Sequence, residues 1–277
     1  MAVNPCWQPF FYQCLQGESI MDYVLSSLGL AMNVSYLGYI ALILFVALLL
    51  RAAIGFGDGL VAVPLLTLFI ELREAVPLLI GLSTTISFMA LWKDRHYLQA
   101  GSLKRTTIAA LLGVPLGVLL LSLGNEQVVK GLLGILLISM ACWKLLPNPG
   151  FQLKGDGWSY FFGGLAGMLG SAYALRGIVF TIYGGLRGWS QSQFKSTISG
   201  FYILSGVLIP VGYVSAGLIT PRLVGFYLLF LPLAALATLV GNRLTGSMNA
   251  ELFQKVIWLF LLFFGVVLAG RLLLAGF

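Results

Sequence analysis

Long apolar segments dominate the chain and recur along its whole length. A helix needs about 20 apolar residues to cross a bilayer, and eight segments reach or approach that length: 36–54, 75–92, 106–123, 128–146, 158–175, 197–218, 222–241 and 253–275. Two shorter apolar stretches, 60–70 and 178–186, each follow a glycine-rich break. The pattern predicts an all-α polytopic membrane protein with eight to ten membrane segments.

The two short stretches reveal an internal repeat. Residues 58–61 align without a gap with residues 176–179, and three long apolar segments follow each stretch. A second similarity links 126–130 with 251–255, before the last segment of each half. We therefore predict two five-segment repeats and divide the chain into a lead-in at 1–35, a first membrane repeat at 36–147, a linker loop at 148–157 and a second membrane repeat at 158–277.

The basic residues predict how the repeats are oriented. Cytoplasmic loops carry an excess of Lys and Arg, so we take the basic loop around 93–105 as cytoplasmic. If the short stretches cross the membrane, the loop count is ten inside to four outside; if they return to the side they entered, it is eight to six. The crossing arrangement is favoured, and five crossings per half would make the repeats inverted, with both termini outside.

Composition excludes several classes of function. Of 277 residues, 59% are hydrophobic and 9% charged, which does not suit a water-soluble surface. The net charge of +7 comes without a dense basic patch, which argues against a nucleic-acid partner. One histidine and three cysteines show no metal-ligand spacing. We expect no metal and no cofactor, and a lipid bilayer as the surroundings.

The chemistry of the chain concentrates at the two breaks, Gly55–Gly59 and Gly170–Gly177. A half-helix that begins inside the membrane presents free N–H groups and the positive end of its dipole, which attract an anion. Arg176 stands at the start of the second half-helix, and Asp58 occupies the equivalent position in the first. Either these two residues form a structural ion pair, or Arg176 exchanges Asp58 for a substrate anion while Asp58 takes a proton.

Inverted repeats with discontinuous helices are typical of transporters that hold their substrate at the midplane between the repeats. The candidate substrate-binding residues are those at the breaks and polar residues of the segments that follow: Arg176, Gly177, Gly57, Gly59, Ser83, Thr84, Ser199 and Tyr202. For each hydroxyl, an ordinary hydrogen bond within or between helices is the alternative. The predicted partner is a small-molecule anion, with protons or cations as the coupling ion.

At these residues the sequence resembles the TauE/SafE family of sulfite exporters. The resemblance rests on Gly55 to Leu66, on Glu74-Ala75-Val76 and on the stretch from Gly163 through Tyr183 to Gly217, and it covers about residues 36–275. It implies transport of small sulfur-containing or organic anions, such as sulfite or sulfonates, across the bacterial cytoplasmic (inner) membrane. Asp58 and Arg176 stand where glycine is common in the family, and Ile178 where proline often follows.

Two other functions remain open at this point. The order Gly55-Phe56-Gly57-Asp58 fits the GxGD pattern of intramembrane aspartyl proteases, but such catalysis needs a second intramembrane aspartate, and Asp22, Asp94 and Asp156 all lie in the lead-in or in loops. A passive anion channel uses broken helices of the same kind. We expect a transporter and not an enzyme.

Overall fold

A computed structural model describes residues 34–145, 153, 155, 157–244, 259, 262–267 and 270, and no strand occurs among them. The predicted lead-in, most of the linker and most of the last segment lie outside these residues. In chain order the helices are α1 Val34–Ile54, α2 Asp58–Leu66, α3 Leu72–Asp94, α4 Ala100–Leu123, α5 Glu126–Leu145, α6 Trp158–Tyr173, α7 Arg176–Leu186, α8 Gln191–Ser215 and α9 Pro221–Leu244, with a 3-10 turn at Arg95–Tyr97.

The prediction of an all-α membrane protein is confirmed. Within the described residues, four helical stretches are long and apolar enough to cross a membrane: Tyr36–Ile54, Ala100–Leu123, Ser192–Ser215 and Pro221–Arg243. Their outer faces carry large apolar side chains such as Leu112 and Leu123, both 78% exposed, as a lipid solvent permits. Helices α2 and α7 contain 9 and 11 residues and are too short to cross by themselves.

Unusual backbone conformations mark both breaks. Gly55 and Gly57 have φ angles of 101° and 107°, in a region that glycine adopts readily and other residues avoid. Ala174 takes a φ of 56° at the second break, which costs on the order of 1 kcal/mol for a residue with a Cβ. The chain therefore leaves helical geometry at the two places where the glycine pattern predicts it.

Each half-helix runs back beside the helix that precedes it. The ring of Phe69, just after α2, packs against Tyr36 and Tyr39 near the start of α1, with ring centroids 6.1 and 5.7 Å apart. In the second half, the Tyr183 hydroxyl near the end of α7 lies 2.6 Å from the Ser159 hydroxyl at the start of α6. Each pair of helices thus forms a hairpin whose tip is the glycine-rich break.

The two hairpins belong to opposite ends of the bundle. At the end where α2 stops, Lys130 at the start of α5 donates to the Thr67 carbonyl, and Arg222 at the start of α9 pairs with Glu74 at the start of α3. At the end where α7 stops, the N–H of Gln99 donates to the Thr197 hydroxyl, which joins the starts of α4 and α8. Because α3, α4, α8 and α9 each run from one end to the other, α2 and α7 point in opposite directions.

Glycines bring the scaffold helices into close contact. Helix α4 packs more extensively against α6 than any other two described helices do, and α1 against α9 comes next. A Cβ on Gly163 or Gly167 of α6 would overlap the backbone of α4 at Thr106 or Ala110, and one on Gly241 of α9 would overlap the backbone of α1. Small residues of this kind drive helix association in lipid, where van der Waals packing replaces the hydrophobic effect.

We expect Gly163→Ala and Gly167→Ala each to lower the free energy of unfolding by about 1–3 kcal/mol, because the added methyl group forces α4 and α6 apart. The midpoint of thermal unfolding in detergent measures the effect. The matched control is Gly38→Ala in α1, whose Cβ would meet no atom within 4 Å. Equal midpoints for all three variants would show that this contact does not hold the bundle.

Candidate anion site at the helix tips

The tips of the two hairpins touch each other in a reciprocal way. A Cβ on Gly59 would overlap the carbonyl of Ala174, and a Cβ on Gly177 would come within 3.0 Å of the Phe56 Cβ. Ala174 and Gly177 each lie 118 positions after their counterparts, Phe56 and Gly59. Glycine at both contacts lets the starts of α2 and α7 approach closely.

Four side chains form a buried cluster where the tips meet, and we call it the central cluster: Arg51, Asp58, Arg176 and Tyr202. Their exposed fractions are 3%, 1%, 0% and 1%. Arg51 comes from the last turn of α1, Asp58 and Arg176 are the first residues of α2 and α7, and Tyr202 lies in α8. Both breaks and one scaffold helix therefore supply the cluster.

The ring of Tyr202 organises the central cluster. The guanidinium carbons of Arg51 and Arg176 lie 3.6 and 4.1 Å from its centroid, both within the range of a cation–π interaction. Its hydroxyl donates to Oδ1 of Asp58 at 3.2 Å. One side chain thus contacts both cations and the carboxylate.

Asp58 forms its ion pair with Arg51. Nη1 of Arg51 donates to Oδ2 of Asp58 at 3.3 Å, and Nη2 of Arg51 donates to the hydroxyl of Ser87 in α3. Both carboxylate oxygens of Asp58 are therefore used, one by Arg51 and one by Tyr202. Asp58 also sits at the N-terminus of α2, where the helix dipole favours a negative charge.

Arg176 donates hydrogen bonds to neutral groups among the described residues. Its Nη1 donates to the Ser205 hydroxyl at 2.9 Å, and its Nη2 donates to the Ser83 hydroxyl at 2.7 Å. Longer contacts reach the Thr84 hydroxyl and the carbonyls of Ile80 and Tyr202. As the first residue of α7, this cation also faces the positive end of a helix dipole, which disfavours it.

The central cluster has an excess of positive charge. It contains two guanidinium groups, which stay protonated in proteins, and one carboxylate. Asp58 is the one acidic side chain that is buried within the described part of the chain. In addition, the Nε atoms of both Arg51 and Arg176 are buried without a hydrogen-bond partner. Buried donors of this kind attract a negatively charged acceptor.

Comparison with known proteins places the chain in a family. The family model described as "Sulfite exporter TauE/SafE" matches residues 40–268. The chain belongs to the TauE/SafE family. No curated protein and no solved structure matches it. Membership confirms the resemblance seen in the sequence, makes the chain a multi-pass membrane protein, and implies export of sulfite or other anions by a transporter.

Five of the residues predicted for the site of this TauE/SafE protein lie in or against the central cluster: Asp58, Arg176, Tyr202, Ser83 and Thr84. One detail differs from the sequence-based hypothesis, in which Asp58 pairs with Arg176. The contact is made by Arg51 instead, because Arg51 lies two turns before Asp58 in the chain and the glycine turn folds the two side chains together.

The other predicted residues take different places. Gly59 and Gly177 serve the close contact between the tips, and their Cβ positions are filled by protein. Gly57 is buried, yet a Cβ there would meet no atom within 4 Å, so there is space beside the cluster at this point. Ser199 is buried in α8 one turn before Tyr202, and the α8 hydroxyl that contacts Arg176 is that of Ser205.

Arg51 is the functional candidate that the repeat analysis missed. The similarity between the halves starts at the breaks, where Asp58 corresponds to Arg176, and it does not include the helix that carries Arg51. The signal was present, since Arg51 is the one charged residue in the apolar segment 36–54, and a charged residue inside a membrane segment marks a functional site by default.

An apolar groove of about 630 Å³ lies elsewhere, between α4 and α8. It is lined by exposed side chains such as Leu123 and Val211 and shares no residue with the central cluster. Its lining offers no charge to an anion.

The contacts of Tyr202 predict an order of stability. Tyr202→Phe removes the hydrogen bond to Asp58 and should lower the free energy of unfolding by about 1.5–3 kcal/mol. Tyr202→Leu also removes both cation–π contacts, each worth about 2 kcal/mol when desolvated, and should cost about 2–4 kcal/mol more. Denaturant or thermal unfolding in detergent compares the variants. If Leu is tolerated as well as Phe, the ring does not hold the two cations.

Proposed function

We propose that this TauE/SafE protein carries small organic or sulfur-containing anions, of the sulfite and sulfonate class, across the bacterial cytoplasmic membrane. One observation carries the proposal: two buried guanidinium groups and one carboxylate meet at the tips of two helix hairpins. In an apolar environment an uncompensated charge is expensive, so a site with excess positive charge favours an anion. A planar guanidinium also matches two oxygens of a sulfonate, sulfite or carboxylate group.

The substrate-binding residues in this proposal are Arg176 and the hydroxyl groups around it. Ser83 and Ser205 hold the guanidinium of Arg176 from α3 and α8 and leave its Nε–H for an oxygen of the anion. Tyr202 and Thr84 complete the lining. Neutral partners suit this role, because an anion that approaches Arg176 does not have to displace a competing carboxylate.

Alternating access between two inverted repeats is the mechanism we favour. Three features support it. The contacts between the tips are reciprocal at a constant separation of 118 residues. Helix α4 packs on α6 as α9 packs on α1, which is the exchange that a twofold relation between the halves requires. The hairpins enter from opposite ends of the bundle, as in transporters built from inverted repeats.

Asp58 is the candidate for coupling. It is the buried acidic group of the described residues, it contacts Arg51 directly, and its second oxygen is bound by a hydroxyl that can rotate. A proton taken up by Asp58 would release Arg51 and raise the positive charge of the cluster. In this proposal a proton or a cation at Asp58 couples the movement of the anion to an ion gradient.

The proposal predicts the behaviour of Arg176→Gln in proteoliposomes. We expect at least about a tenfold loss of uptake across a panel of sulfite, methanesulfonate and acetate, because the buried charge that receives the anion is gone. Uptake is measured with the purified protein, and Arg243→Gln, which removes an exposed charge at the end of α9, is the control. Unchanged uptake by Arg176→Gln would refute the proposed site, and no uptake of any anion by the wild type would refute the function.

The same vesicles separate a carrier from a passive channel. A carrier that alternates between two states is stimulated by substrate on the far side of the membrane, so loading the vesicles with unlabelled anion should accelerate uptake of labelled anion. A channel gives the same uptake with empty and loaded vesicles.

The inverted arrangement predicts that both termini lie outside the cytoplasm. A cysteine introduced near residue 2 and one near residue 276, each in a background in which Cys6, Cys14 and Cys142 are replaced by serine, should react with a membrane-impermeant maleimide in intact cells. A cysteine at exposed Arg243, at the opposite end of the bundle, should react only after the membrane is opened. Protection of either terminus in intact cells would contradict the orientation.

A further inference from the structure

The central cluster has a defined net charge. Two guanidinium groups and one carboxylate leave one uncompensated positive charge, and all three groups are less than 4% exposed. Lys195 in α8 lies near the break as well, but it is only partly buried and donates to the carbonyl of Ala53 at 2.8 Å. The buried part of the site therefore has a formal charge of plus one.

The charges are close enough to act on one bound ion. Because both guanidinium carbons lie within about 4 Å of the Tyr202 centroid, they are no more than about 8 Å apart. At that separation, in a medium of effective dielectric constant about 20, a unit charge interacts strongly enough to change an equilibrium constant by more than tenfold. An anion within this space experiences Arg51, Asp58 and Arg176 together.

Three features give such an anion a place. Each arginine has a buried Nε–H without a partner, so each half of the chain provides one donor. Gly57 is buried next to Asp58 in the chain, and apart from its two chain neighbours no residue has an atom within 4 Å of its Cβ position. The starts of α2 and α7 lie in contact, and neither N-cap residue, Gly57 or Leu175, caps the first N–H groups with a side chain.

We propose that the central cluster selects substrates by charge: while Asp58 is ionised, the cluster binds singly charged anions and excludes doubly charged ones. Asp58 acts as a built-in anion that neutralises Arg51, so one negative charge from the substrate completes the balance. A dianion would leave the buried site with a net negative charge beside the carboxylate. The substrate class is thus the monoanionic sulfonates and the singly protonated form of sulfite. This inference rests on the proposed function and deepens it.

The test uses two anions of nearly the same shape, methanesulfonate and sulfate. Methanesulfonate has a methyl group in place of one sulfate oxygen and carries one negative charge instead of two. Binding to the purified full-length protein is measured for each by calorimetry and by the shift in thermal unfolding. The wild type should bind methanesulfonate at least about tenfold more tightly than sulfate. Asp58→Asn, which raises the cluster to plus two, should move the ratio of the two affinities towards sulfate by more than about tenfold.

Two further variants test whether the net charge of the cluster, rather than the identity of residue 58, sets the preference between the two anions. The double variant Arg51→Gln/Asp58→Asn has a cluster charge of plus one again and should recover the wild-type preference. Arg51→Gln alone has a neutral cluster and should bind both anions more weakly. If Asp58→Asn does not fold, the double variant and Arg51→Gln still test the proposal. The proposal requires the wild-type ratio of affinities in the double variant, whose cluster charge is plus one, and weaker binding of both anions to Arg51→Gln, whose cluster is neutral.

The outcomes separate this inference from the proposed function. If the wild type binds methanesulfonate and sulfate with equal affinity, selection by charge is wrong while anion binding stands. The same conclusion follows if Asp58→Asn and the double variant show the same ratio of affinities for the two anions. If the wild type binds neither anion nor sulfite in either assay, both proposals fall.

Discussion

Two buried guanidinium groups on one tyrosine ring set the main constraint on this molecule. Arg51 and Arg176 approach the ring of Tyr202 from different halves of the chain, and each needs compensation because the apolar surroundings provide none. The carboxylate of Asp58 neutralises Arg51, and serines of α3 and α8 accept hydrogen bonds from both guanidinium groups, which leaves one positive charge in excess. The hairpin tips and two scaffold helices are therefore tied to one point.

Glycine makes this arrangement sterically possible. The starts of α2 and α7 meet at distances that leave no room for a Cβ on Gly59 or Gly177, and the first half-helix begins only because Gly55 and Gly57 adopt positive φ angles. Behind the tips, Gly163 and Gly167 let α6 lie directly on α4. The apolar helices around the cluster thus act as a close-packed frame, and the polar chemistry is confined to its centre.

The sequence predicted the segments well because hydrophobic length and glycine breaks are local signals, as α2 and α7 show. Asp58, Arg176 and Tyr202 were identified for the same reason, since charges and breaks stand out in an apolar chain. The partner of Asp58 was not, because pairing depends on how the Gly55–Gly57 turn folds Arg51 back towards the next helix. The packing role of Gly59 and Gly177 also could not be predicted, because it depends on a tertiary contact. In the sequence, a glycine at a break is equally consistent with a turn and with a backbone that binds a ligand.

The position of the ion pair has a consequence for movement between the halves. Arg51, Asp58 and Ser87 all belong to the first half, so their strongest interaction lies within one half. Within the central cluster, the contacts that join the halves are hydroxyl hydrogen bonds and cation–π interactions, namely those of Tyr202 with Asp58 and Arg51 and of Arg176 with Ser83. Separating an ion pair in a low-dielectric interior costs several kcal/mol (about 3–5), whereas each of these contacts contributes about 1.5–3 kcal/mol. An ion pair between Asp58 and Arg176 would have locked the halves together. The observed pairing keeps the ion pair within the first half, so a relative displacement of the halves at the cluster would break hydrogen bonds and cation–π contacts but no ion pair.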